Sequence, residues 1–587
     1  MRDTMKSCQH TLSNDIVYKE VVVIGNGPSG MVTSFMLAGN VPYLKPVPED
    51  LPIDEMLRAR LSNLPEGQSL YETDLLELAE GLEGRSQNPI PLLLDNLQRP
   101  CADLGIQADP LIEWKYDVEK QIDHVVLGRG PPGGAWHTFP CGVRTLSPGA
   151  WLALPPHTAA GPGRLPARAV ADYCTRYVRA CKLQRYFRSG VVVSSVTRAP
   201  RVPAPPCAPC CPLQANFWVS GYDMSEGRPF RYACSRIVLA TGAGDRPNTL
   251  EPRLAAHALH ALSTIERAIN VLSSYAEPTN PAHSVLVVGS GVSAADAVCA
   301  ARARRLRTLH VHRAPPDALA RLDPAEYPDY CQVYKMMCDG SKGNYPQYKS
   351  FPEHMIIDIT PEVNDPAPRG DDYDAVRPKR VRLLNLTTNQ VTEVIVSVIA
   401  VLIGSKPDLF FLQTNFSLNC IQTDECLKCL EEKHMKKKME KECFFKNHWL
   451  NFKNVLEQGI NSCKSRYLNY SEINGNTDTK CELTDCNRRP EKTKCTCNKT
   501  EEIIPAKCEC QPSNPYSNGI GFGIDPKKPV DGRSNPVAID KSTHELLNGP
   551  KGIYALGPLT ADNFVRFIPG GALALVAHIH KDKKSAE

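Results

Sequence analysis

The chain has 587 residues, of which 42% are hydrophobic and 22% are charged. At ~100–200 residues per domain, this length predicts two to four domains, and the composition excludes a chain that is disordered throughout. The formal net charge is +4, from 68 basic and 64 acidic residues. So small a charge gives no reason to expect nucleic acid or an anionic membrane as a partner.

We also expect no transmembrane segment. The longest apolar stretch, residues 394–403, is interrupted by Ser397 and has about half of the ~20 residues needed to cross a bilayer. The N-terminal residues are polar and lack an apolar signal core. The chain is therefore expected to be cytoplasmic, with its 23 cysteines present as reduced thiols.

The first regular pattern consists of a buried strand at 21–24, a glycine turn with the sequence GNGPSG at 25–30, and an apolar helix at 31–38. In such a unit the glycines permit the tight turn, the approach of a pyrophosphate, and the close packing of helix on strand. The helix N-terminus presents N–H groups and a partial positive charge to the phosphates. The pattern predicts dinucleotide binding, against the alternative of an ordinary glycine turn. The candidate residues are Gly25, Gly27, Pro28, Ser29 and Gly30.

Further candidates follow along the chain. Residues 41–120 resemble a helical insertion, because the next strand of the first unit is expected only at 122–127. The sequence GRGPPGGAW comes directly after that strand, and ATG ends a later strand at 237–239. The candidate residues in these two turns are Gly133, Gly134, Trp136, Thr241 and Gly242. Residues 394–404 are predicted to form one more buried strand.

A second complete unit has a strand at 285–288, the turn GSGVSA at 289–294 and a helix at 295–303. Its candidate residues are Gly289, Gly291, Ser293 and Ala294. Two such units in one chain indicate two dinucleotides brought face to face, and the chemistry that needs this is hydride transfer between a nicotinamide and a flavin. The following strand ends in Arg313, and a cation there suits the 2′-phosphate of NADPH. The alternative is a solvated arginine at a strand end.

Several segments together resemble the oxidative stress-induced growth inhibitor family, within the flavin-containing monooxygenase-like proteins. They cover nearly the whole chain apart from 198–213 and 412–520. The segments are GNGPSG (25–30), EGLEGRSQNP (80–89), HVVLGRGPPGGAWH (124–137), VLVVGSGVSAADAV (285–298), VLIGSKPDL (401–409) and YALGPLTADNFVRFIPGGALA (554–574).

The resemblance implies an α/β fold with two Rossmann-like dinucleotide-binding domains of the flavin monooxygenase type, with helical and disordered insertions. It implies FAD in the first domain and NADPH in the second. The implied activity is NADPH-dependent monooxygenation, in which the reduced flavin takes up molecular oxygen and delivers one oxygen atom to a nucleophilic small molecule or protein side chain. The implied biology is regulation of growth, differentiation and cell death, with a role in cytokinesis.

On this basis the FAD-binding domain comprises residues 18–280, with the helical insertion 41–120, and is closed by the C-terminal segment 521–587. The NADPH-binding domain comprises residues 281–411 and includes a segment rich in Tyr and Pro. Residues 412–520 are rich in Cys and Lys and are expected to form a disordered insertion.

Three departures from the flavin monooxygenase pattern keep a second hypothesis open, a regulatory binding protein that retains the fold without turnover. The strand at 122–127 is followed by Gly128 and Arg129, where an acid usually holds the adenosine ribose. The FxGxxxH element before the second turn is not matched. The C-terminal turn commonly contains the pair Gly-Asp, and here the pair is Gly557-Pro558. Asp562 either substitutes for the missing acid near the flavin or caps the loop. The candidates in this turn are Gly557, Asp562 and Asn563.

Eleven cysteines fall between Cys420 and Cys510. Their irregular spacing favours reduced thiols in an unstructured segment over redox-reactive thiols or a zinc site, so no metal is predicted. A zinc-bearing interaction scaffold is a third hypothesis. We assign no catalytic side chain, because the cofactors carry the chemistry. Thr145, Ser147 and Trp151 either line the flavin or form an ordinary loop.

Overall fold

The computed structural model describes residues 15–199, 211, 215–277, 280–362, 375–412 and 519–586. All of them belong to one compact unit of the chain. Parallel sheets with helices packed on them form this unit, so the predicted α/β class is confirmed. The predictions for the cysteine-rich insertion fall on residues 413–518, which lie outside the described residues.

The strands in chain order are β1 (Ile16–Ile24), β2 (Asn40–Leu44), β3 (Ile112–Tyr116), β4 (His124–Gly128), β5 (Arg144–Pro148), β6 (Arg164–Pro166), β7 (Phe187–Ser189), β8 (Val191–Arg198), β9 (Phe217–Asp223), β10 (Arg228–Leu239), β11 (Arg246–Pro247), β12 (Ser284–Val288), β13 (Arg307–His312), β14 (Tyr348–Pro352), β15 (His354–Pro361), β16 (Lys379–Asn385), β17 (Val391–Val396), β18 (Val398–Val401), β19 (Ser405–Lys406) and β20 (Ile553–Ala555).

The helices in chain order are α1 (Pro28–Leu37), α2 (Glu55–Ser62), α3 (Leu75–Ala79), α4 (Pro89–Gln98), α5 (Gly149–Leu152), α6 (Ala167–Ala180), α7 (Pro252–Ala255), α8 (Leu262–Tyr275), α9 (Val292–Ala303), α10 (Asp317–Ala320), α11 (Pro328–Asp339) and α12 (Ile568–Ala586). Within the described ranges, none of these helices has the length and apolar character needed to cross a membrane.

The first sheet has seven strands in the described part of the chain, in the order β7-β4-β1-β10-β9-β8, with β20 paired to β10. β7, β4, β1, β10 and β20 run parallel, and β9 is antiparallel to β8 and β10. Since β20 belongs to the C-terminal segment, this sheet is assembled from two distant parts of the chain.

Strand β1 is the centre of this sheet and is buried on both faces. Val21 and Val23 face a core that α1, α4, α6 and α12 complete. Val22 and Ile24 face a second core, which includes residues of β8 and β9. Burial on both sides explains why this strand is apolar at four successive positions.

The second sheet is fully parallel, in the order β14-β13-β12-β18. Helices α8, α9 and α11 pack on one of its faces. An antiparallel sheet of β15, β16 and β17 packs on the other face. Helix α8, which the sequence-based division puts in the first domain, shares the core of the second sheet through Ile265, Ile269 and Leu272.

The chain passes between the two sheets through a short antiparallel pair, which we call the hinge ribbon. It consists of β11 and β19, with Arg246 opposite Lys406 and Pro247 opposite Ser405. Strand β11 leads from the first sheet into the second, and β19 leads back. The ribbon therefore lies at both crossings of the chain between the two sheets.

The predicted helical insertion at 41–120 does contain α2, α3 and α4. It also contains the antiparallel pair of β2 and β3, which joins Asn40 to Tyr116 at one end and Leu44 to Ile112 at the other. These two strands lie nearly seventy residues apart in sequence, so no local hairpin signal announces them.

The single strand predicted at 394–404 is wrong, because two strands in different sheets share this apolar run. β17 pairs with β16, whereas β18 pairs with β12. Ser397 separates them, and its hydroxyl donates a hydrogen bond to the Ala282 carbonyl oxygen at 2.9 Å. The Ser397 N–H donates to the Ser284 carbonyl oxygen at 3.0 Å. A buried polar residue thus marks the change of sheet.

Candidate functional site

The first glycine turn follows the carboxyl end of β1. The Gly25 N–H donates a hydrogen bond to the Leu127 carbonyl oxygen at 2.8 Å. Gly25 has a φ of +112°, and a Cβ there would lie 2.3 Å from the Ala240 carbonyl oxygen. A Cβ on Gly30 would lie 2.0 Å from the Gly25 carbonyl oxygen. Both positions therefore require glycine, one for the turn and one for the approach of α1.

Gly27 differs, because the space beside it is open. The nearest atom to a Cβ at this position would be the Gly133 carbonyl oxygen, at 4.0 Å. Gly27 is extended and immediately precedes α1, and Pro28 begins the helix where no N–H partner is needed. Ser29 and Gly30 follow, buried in the first turn of the helix. The backbone at Gly27 thus borders free space, as the approach of a phosphate requires.

The turn at Gly133 and Gly134 packs directly on the first glycine turn. The Gly133 N–H donates to the Asn26 carbonyl oxygen at 2.9 Å. A Cβ on Gly134 would lie 3.1 Å from the Gly27 Cα. Trp136, two residues further on, is half-buried against the first core. The structure therefore brings together two turns that are more than a hundred residues apart.

A third predicted turn reaches the same place. The Ala240 N–H donates to the Ile24 carbonyl oxygen at 2.8 Å, which brings Thr241 and Gly242 beside the first turn. The Thr241 Oγ1 is buried and has no hydrogen-bond partner among the described residues. A buried hydroxyl without a partner is costly, so the Thr241 hydroxyl has a hydrogen bond left to make with a ligand or a water molecule. Gly242 has a φ of +77° and open space around it.

The C-terminal segment reaches the first turn at Gly557, where a Cβ would lie 2.4 Å from the Ser29 Oγ. Asp562 is buried, and its carboxylate accepts hydrogen bonds from the Ser86 hydroxyl and, at 2.9 Å, from the Asn88 Nδ2. Burial raises the pKa of Asp562 to about 7, against the effect of these hydrogen bonds. Asp562 thus ties the segment EGLEGRSQNP to the C-terminal turn.

Asn563 has a similar structural role. Its Nδ2 donates to the Gly532 carbonyl oxygen at 3.0 Å. A Cβ on Gly532 would lie 2.5 Å from the Pro558 carbonyl oxygen, so this loop is packed tightly on the turn that follows Gly557. The Asp562 carboxylate and the Asn563 Nδ2 bond to the protein itself, and the contact of these residues with a cofactor stays a prediction.

The end of β4 explains why no acid stands there. The Asn26 side chain is buried, and its Nδ2 donates to the Gly130 carbonyl oxygen at 2.6 Å. A Cβ on Gly128 would lie 2.1 Å from the Asn26 amide, so a side chain at this position would have to displace Asn26. The acid that does lie near is Asp245, whose Oδ1 is 3.8 Å from the Arg129 Nη1. Burial raises the pKa of Asp245, and Arg129 opposes this shift.

The second glycine turn repeats the geometry of the first. Gly289 has a φ of +140°, and a Cβ there would lie 2.3 Å from the Leu402 carbonyl oxygen. Gly291 is extended and precedes α9, and no atom lies within 4 Å of a Cβ at this position. Ser293 is exposed in the first turn of α9, and Ala294 is buried beneath it. One glycine again closes the turn while the next borders free space.

A buried histidine supports this second turn. The His310 Nε2 lies 2.8 Å from the Gly289 carbonyl oxygen, and its Nδ1 lies 3.0 Å from the Tyr348 hydroxyl. Burial lowers the pKa of His310 to about 4, so the ring is neutral near pH 7. The nitrogen that faces the carbonyl must then donate, and the other accepts from the tyrosine. Arg313 follows the end of the same strand and is exposed to solvent.

The loop after the Gly133 turn uses its polar groups internally. The Thr145 hydroxyl donates to the Ser147 carbonyl oxygen at 2.7 Å and accepts from the Leu165 N–H at 3.0 Å. The Trp151 ring lies 4.3 Å from the guanidinium of Arg566, which forms an ion pair with a buried aspartate. A flavin contact for these residues stays a prediction.

Two groups of predicted residues are thus assembled. The turns at Gly25, Gly133, Thr241 and Gly557 meet at the edge of the first sheet, and those at Gly289 and Arg313 lie at the edge of the second. Sequence reasoning missed three residues of these sites, Asn26, Asp245 and His310. Only His310 could have been found from the sequence, because it precedes Arg313 by three residues at the end of the same strand. Within the described ranges no group of three or more His, Cys, Asp or Glu side chains is arranged to hold a metal ion.

No family model matches the chain. Oxidative stress-induced growth inhibitor 1 of Mus musculus is 31% identical over 587 residues, which cover 96% of this chain and 95% of that protein. Oxidative stress-induced growth inhibitor 2 of Homo sapiens is 28% identical over 602 residues, which cover 96% of this chain and 94% of that protein.

Among solved structures, a bacillithiol disulfide reductase from Staphylococcus aureus matches with a TM-score of 0.46 at 10% identity, covering 97% of this chain and 99% of that chain. A flavin-containing monooxygenase from Stenotrophomonas maltophilia matches with a TM-score of 0.35 at 14% identity, covering 69% and 83%. The full-length sequence match confirms the predicted resemblance. The chain belongs to the oxidative stress-induced growth inhibitor family.

Proposed function

We propose that this protein is an FAD- and NADPH-dependent oxidoreductase of the monooxygenase type. One observation carries the proposal. At the carboxyl end of a parallel strand in each of the two sheets, the first glycine of the turn faces a carbonyl group, and the next glycine borders open space. Gly27 and Gly291 are these open positions, and each immediately precedes a helix of at least ten residues. This arrangement suits the binding of one dinucleotide at each sheet.

The first site has features that fit FAD. A methyl group on Gly27 would fill space that a pyrophosphate needs, and the buried Thr241 hydroxyl has a hydrogen bond left to make. Gly133 and Gly134 bring a further turn against the same space. The residues that would hold FAD are Gly25, Gly27, Pro28, Ser29, Gly30, Gly133, Gly134, Trp136, Thr241, Gly242, Gly557, Asp562 and Asn563.

The second site has features that fit NADPH. His310 fixes the Gly289 carbonyl, so the shape of the turn is set before a ligand arrives. Arg313 is exposed at the strand end, where its charge is available to a 2′-phosphate. The residues that would hold NADPH are Gly289, Gly291, Ser293, Ala294 and Arg313. We divide the domains accordingly. The part of the sequence between β11 and β19 forms the nicotinamide domain, and the parts before β11 and after β19 form the flavin domain.

When bound, the two cofactors would supply the transfer of a hydride from nicotinamide to flavin and of electrons to molecular oxygen, with one oxygen atom passing to the substrate and the other leaving as water after taking up a proton from solvent. The chain's own part is to bind, orient and exclude water, and no acid or base side chain is assigned to the reaction. The substrate is a nucleophilic small molecule or protein side chain. The names of the relatives support a role in growth regulation under oxidative stress, and a cytoplasmic location stays part of the proposal.

The test is the absorption spectrum of the purified full-length protein, recorded without oxygen before and after NADPH is added. We expect flavin absorption that NADPH bleaches and that oxygen restores. Gly27→Ala is expected to lose flavin while its unfolding midpoint stays unchanged, because the added methyl group would meet its nearest protein atom, the Gly133 carbonyl oxygen, only at 4.0 Å, without a clash. Protein that remains colourless after reconstitution with FAD would contradict the proposal.

The steric exclusion of an acid at Gly128 favours a second candidate function, a regulatory protein that binds a nucleotide without turnover. The discriminating measurement is NADPH oxidation coupled to oxygen consumption in FAD-loaded protein. Flavin binding without any NADPH oxidation would favour this second function. Product formation that Gly27→Ala abolishes would exclude it.

A further inference from the structure

The hinge ribbon is a weak restraint on the orientation of the two sheets. Only two residues pair on each of its strands, Arg246 with Lys406 and Pro247 with Ser405. Domains joined by such short connections move relative to each other unless another interface holds them. The described structure contains such an interface, on the loop that follows the Gly133 turn.

Arg164 is the centre of this second contact. Its Nε donates a hydrogen bond to the Thr145 carbonyl oxygen at 2.7 Å, which fixes it to the antiparallel pair of β5 and β6 beside the first sheet. Its Nη1 donates to the Glu326 carbonyl oxygen at 3.0 Å, in the segment that packs on the second sheet. Its guanidinium carbon lies 4.3 Å from the centre of the Tyr327 ring. The Arg164 side chain thus bonds both to the β5–β6 pair beside the first sheet and to the segment that packs on the second sheet.

The neighbours of Arg164 extend the contact in both directions. The Tyr327 hydroxyl donates to the Leu146 carbonyl oxygen, and the Leu146 side chain packs against the core of the second sheet. The Tyr330 ring is stacked on Tyr327 with 6.3 Å between centroids and 13° between planes. The Tyr330 hydroxyl donates to the Asp296 Oδ1 at 2.6 Å. We call Arg164, Tyr327, Tyr330 and Asp296 the clasp.

Asp296 connects the clasp to the second glycine turn. It lies in the second turn of α9, the helix that begins at Val292 directly after Gly291. Burial raises the pKa of Asp296 to about 6, and the hydrogen bond from Tyr330 and the charge of Arg164 both oppose this shift. The charge on Arg164 is therefore felt at the helix that would carry NADPH.

We propose that Arg164 is a positioning residue, which holds the second sheet against the first and so sets how fast a hydride crosses between the two nucleotide sites. The kinetic part of this inference rests on the proposed function. The structural part rests on the clasp and the hinge ribbon alone. A planar guanidinium donates along two directions while it stacks on a ring, and an ammonium group cannot do this, so lysine is a poor replacement.

The first test is hydrogen exchange of the full-length protein without added nucleotide, comparing Arg164→Ala and Arg164→Lys with the wild type. We expect faster exchange at Lys406 in the hinge ribbon and at Asn248 directly after it, neither of which Arg164 contacts in the structure. A local loss of contacts would change exchange only near residues 144–148 and 326–330. Arg168→Ala is the matched control, because that arginine is exposed on the same segment.

The second test is the rate of flavin reduction in the absence of oxygen. With NADPH as reductant we expect a rate at least tenfold lower in Arg164→Ala, an intermediate rate in Arg164→Lys, and no change in Arg168→Ala. The rates are compared at saturating NADPH, and flavin content and photochemical reduction should be unchanged, because Arg164 bonds to none of the residues that would hold FAD.

The outcomes separate the two proposals. Wild-type protein that NADPH does not reduce removes the proposed function, and the clasp is then judged by hydrogen exchange alone. If hydrogen exchange in the hinge ribbon is the same in Arg164→Ala and in the wild type, the positioning role proposed for Arg164 is wrong. A flavin reduction rate within twofold of the wild type in Arg164→Ala also contradicts that role.

Discussion

The Asn26 side chain occupies the space into which any side chain at Gly128 would extend, with 2.1 Å between a Cβ there and the amide. The Asn26 Nδ2 in turn donates to the Gly130 carbonyl oxygen at 2.6 Å. The asparagine of GNGPSG and the glycine that ends β4 are therefore one structural feature. At the end of this strand, where flavin enzymes of this type usually have an acid, the Asn26 amide instead fixes the backbone of the next loop.

This relationship predicts that Gly128→Ala destabilises the protein by about 1–3 kcal/mol, as overpacking of a tight site does. The added methyl group must displace Asn26 from its hydrogen bond. Chemical unfolding of the purified protein measures the effect. Gly130→Ala is the control, because no atom lies within 4 Å of a Cβ there. Asn26→Ala combined with Gly128→Ala should recover part of the loss, and full additivity of the two changes would disprove the steric explanation.

The second glycine turn offers a matched pair of substitutions. Gly289→Ala should lower the free energy of unfolding by on the order of 2 kcal/mol or more, because its φ is +140° and a Cβ would lie 2.3 Å from the Leu402 carbonyl oxygen. Gly291→Ala should fold nearly as well as the wild type and bind NADPH at least roughly tenfold more weakly, since the methyl group takes space that a pyrophosphate needs. Thermal unfolding and a binding titration measure the two effects, and weaker folding of Gly291→Ala would be inconsistent with the open space seen there.

Much of the fold could be predicted from local sequence. A strand, a glycine turn and an apolar helix are adjacent along the chain, so both turns at Gly25 and Gly289 were identified. The single strand predicted at 394–404 failed for a physical reason. The end of β17, in the antiparallel sheet, and the whole of β18, in the parallel sheet, are both apolar, and only Ser397 between them marks the change of sheet.

What the sequence could not supply is contact between distant segments. Asp562 has the expected place in the C-terminal turn, but its partners Ser86 and Asn88 lie in a segment that no spacing rule connects to it. The same holds for Asp245 beside Arg129 and for Arg164 between Thr145 and Glu326. Such residues are polar, occur singly and act through tertiary contacts, so their role appears only once the chain is folded.

The exposed Arg313 side chain is expected to make the protein prefer NADPH over NADH. Arg313→Ala should weaken NADPH binding roughly tenfold or more and leave NADH binding unchanged, because only NADPH carries the 2′-phosphate that a guanidinium binds in two directions. The side chain is exposed, so folding should not change. Arg307→Ala is the control, since that arginine is exposed at the opposite end of the same strand. If the affinities for NADPH and NADH fall equally, Arg313 stabilises the strand end and does not bind the 2′-phosphate.

Asp562 predicts how stability depends on pH. Its pKa in the folded protein is about 7, above the ordinary value of 3.8. A carboxyl group with a raised folded pKa binds more protons in the folded state, so the free energy of unfolding falls as pH rises from about 4 to about 7. The slope from one such group is at most ~1.4 kcal/mol per pH unit, and the total loss is on the order of 2–4 kcal/mol.

Asp562→Asn removes this titration while it keeps the shape of the side chain. The introduced amide can accept from Asn88 and donate to the Ser86 hydroxyl, which is able to accept as well as donate. We therefore expect the stability of wild type relative to Asp562→Asn to fall between pH 4 and pH 7 and to stay level above pH 8, in urea unfolding of flavin-free protein. Asp109→Asn, an exposed carboxyl, should follow the wild type at every pH. Parallel curves for wild type and Asp562→Asn would mean that the buried carboxyl is ionised throughout, because only a proton bound in the folded state can make the two diverge.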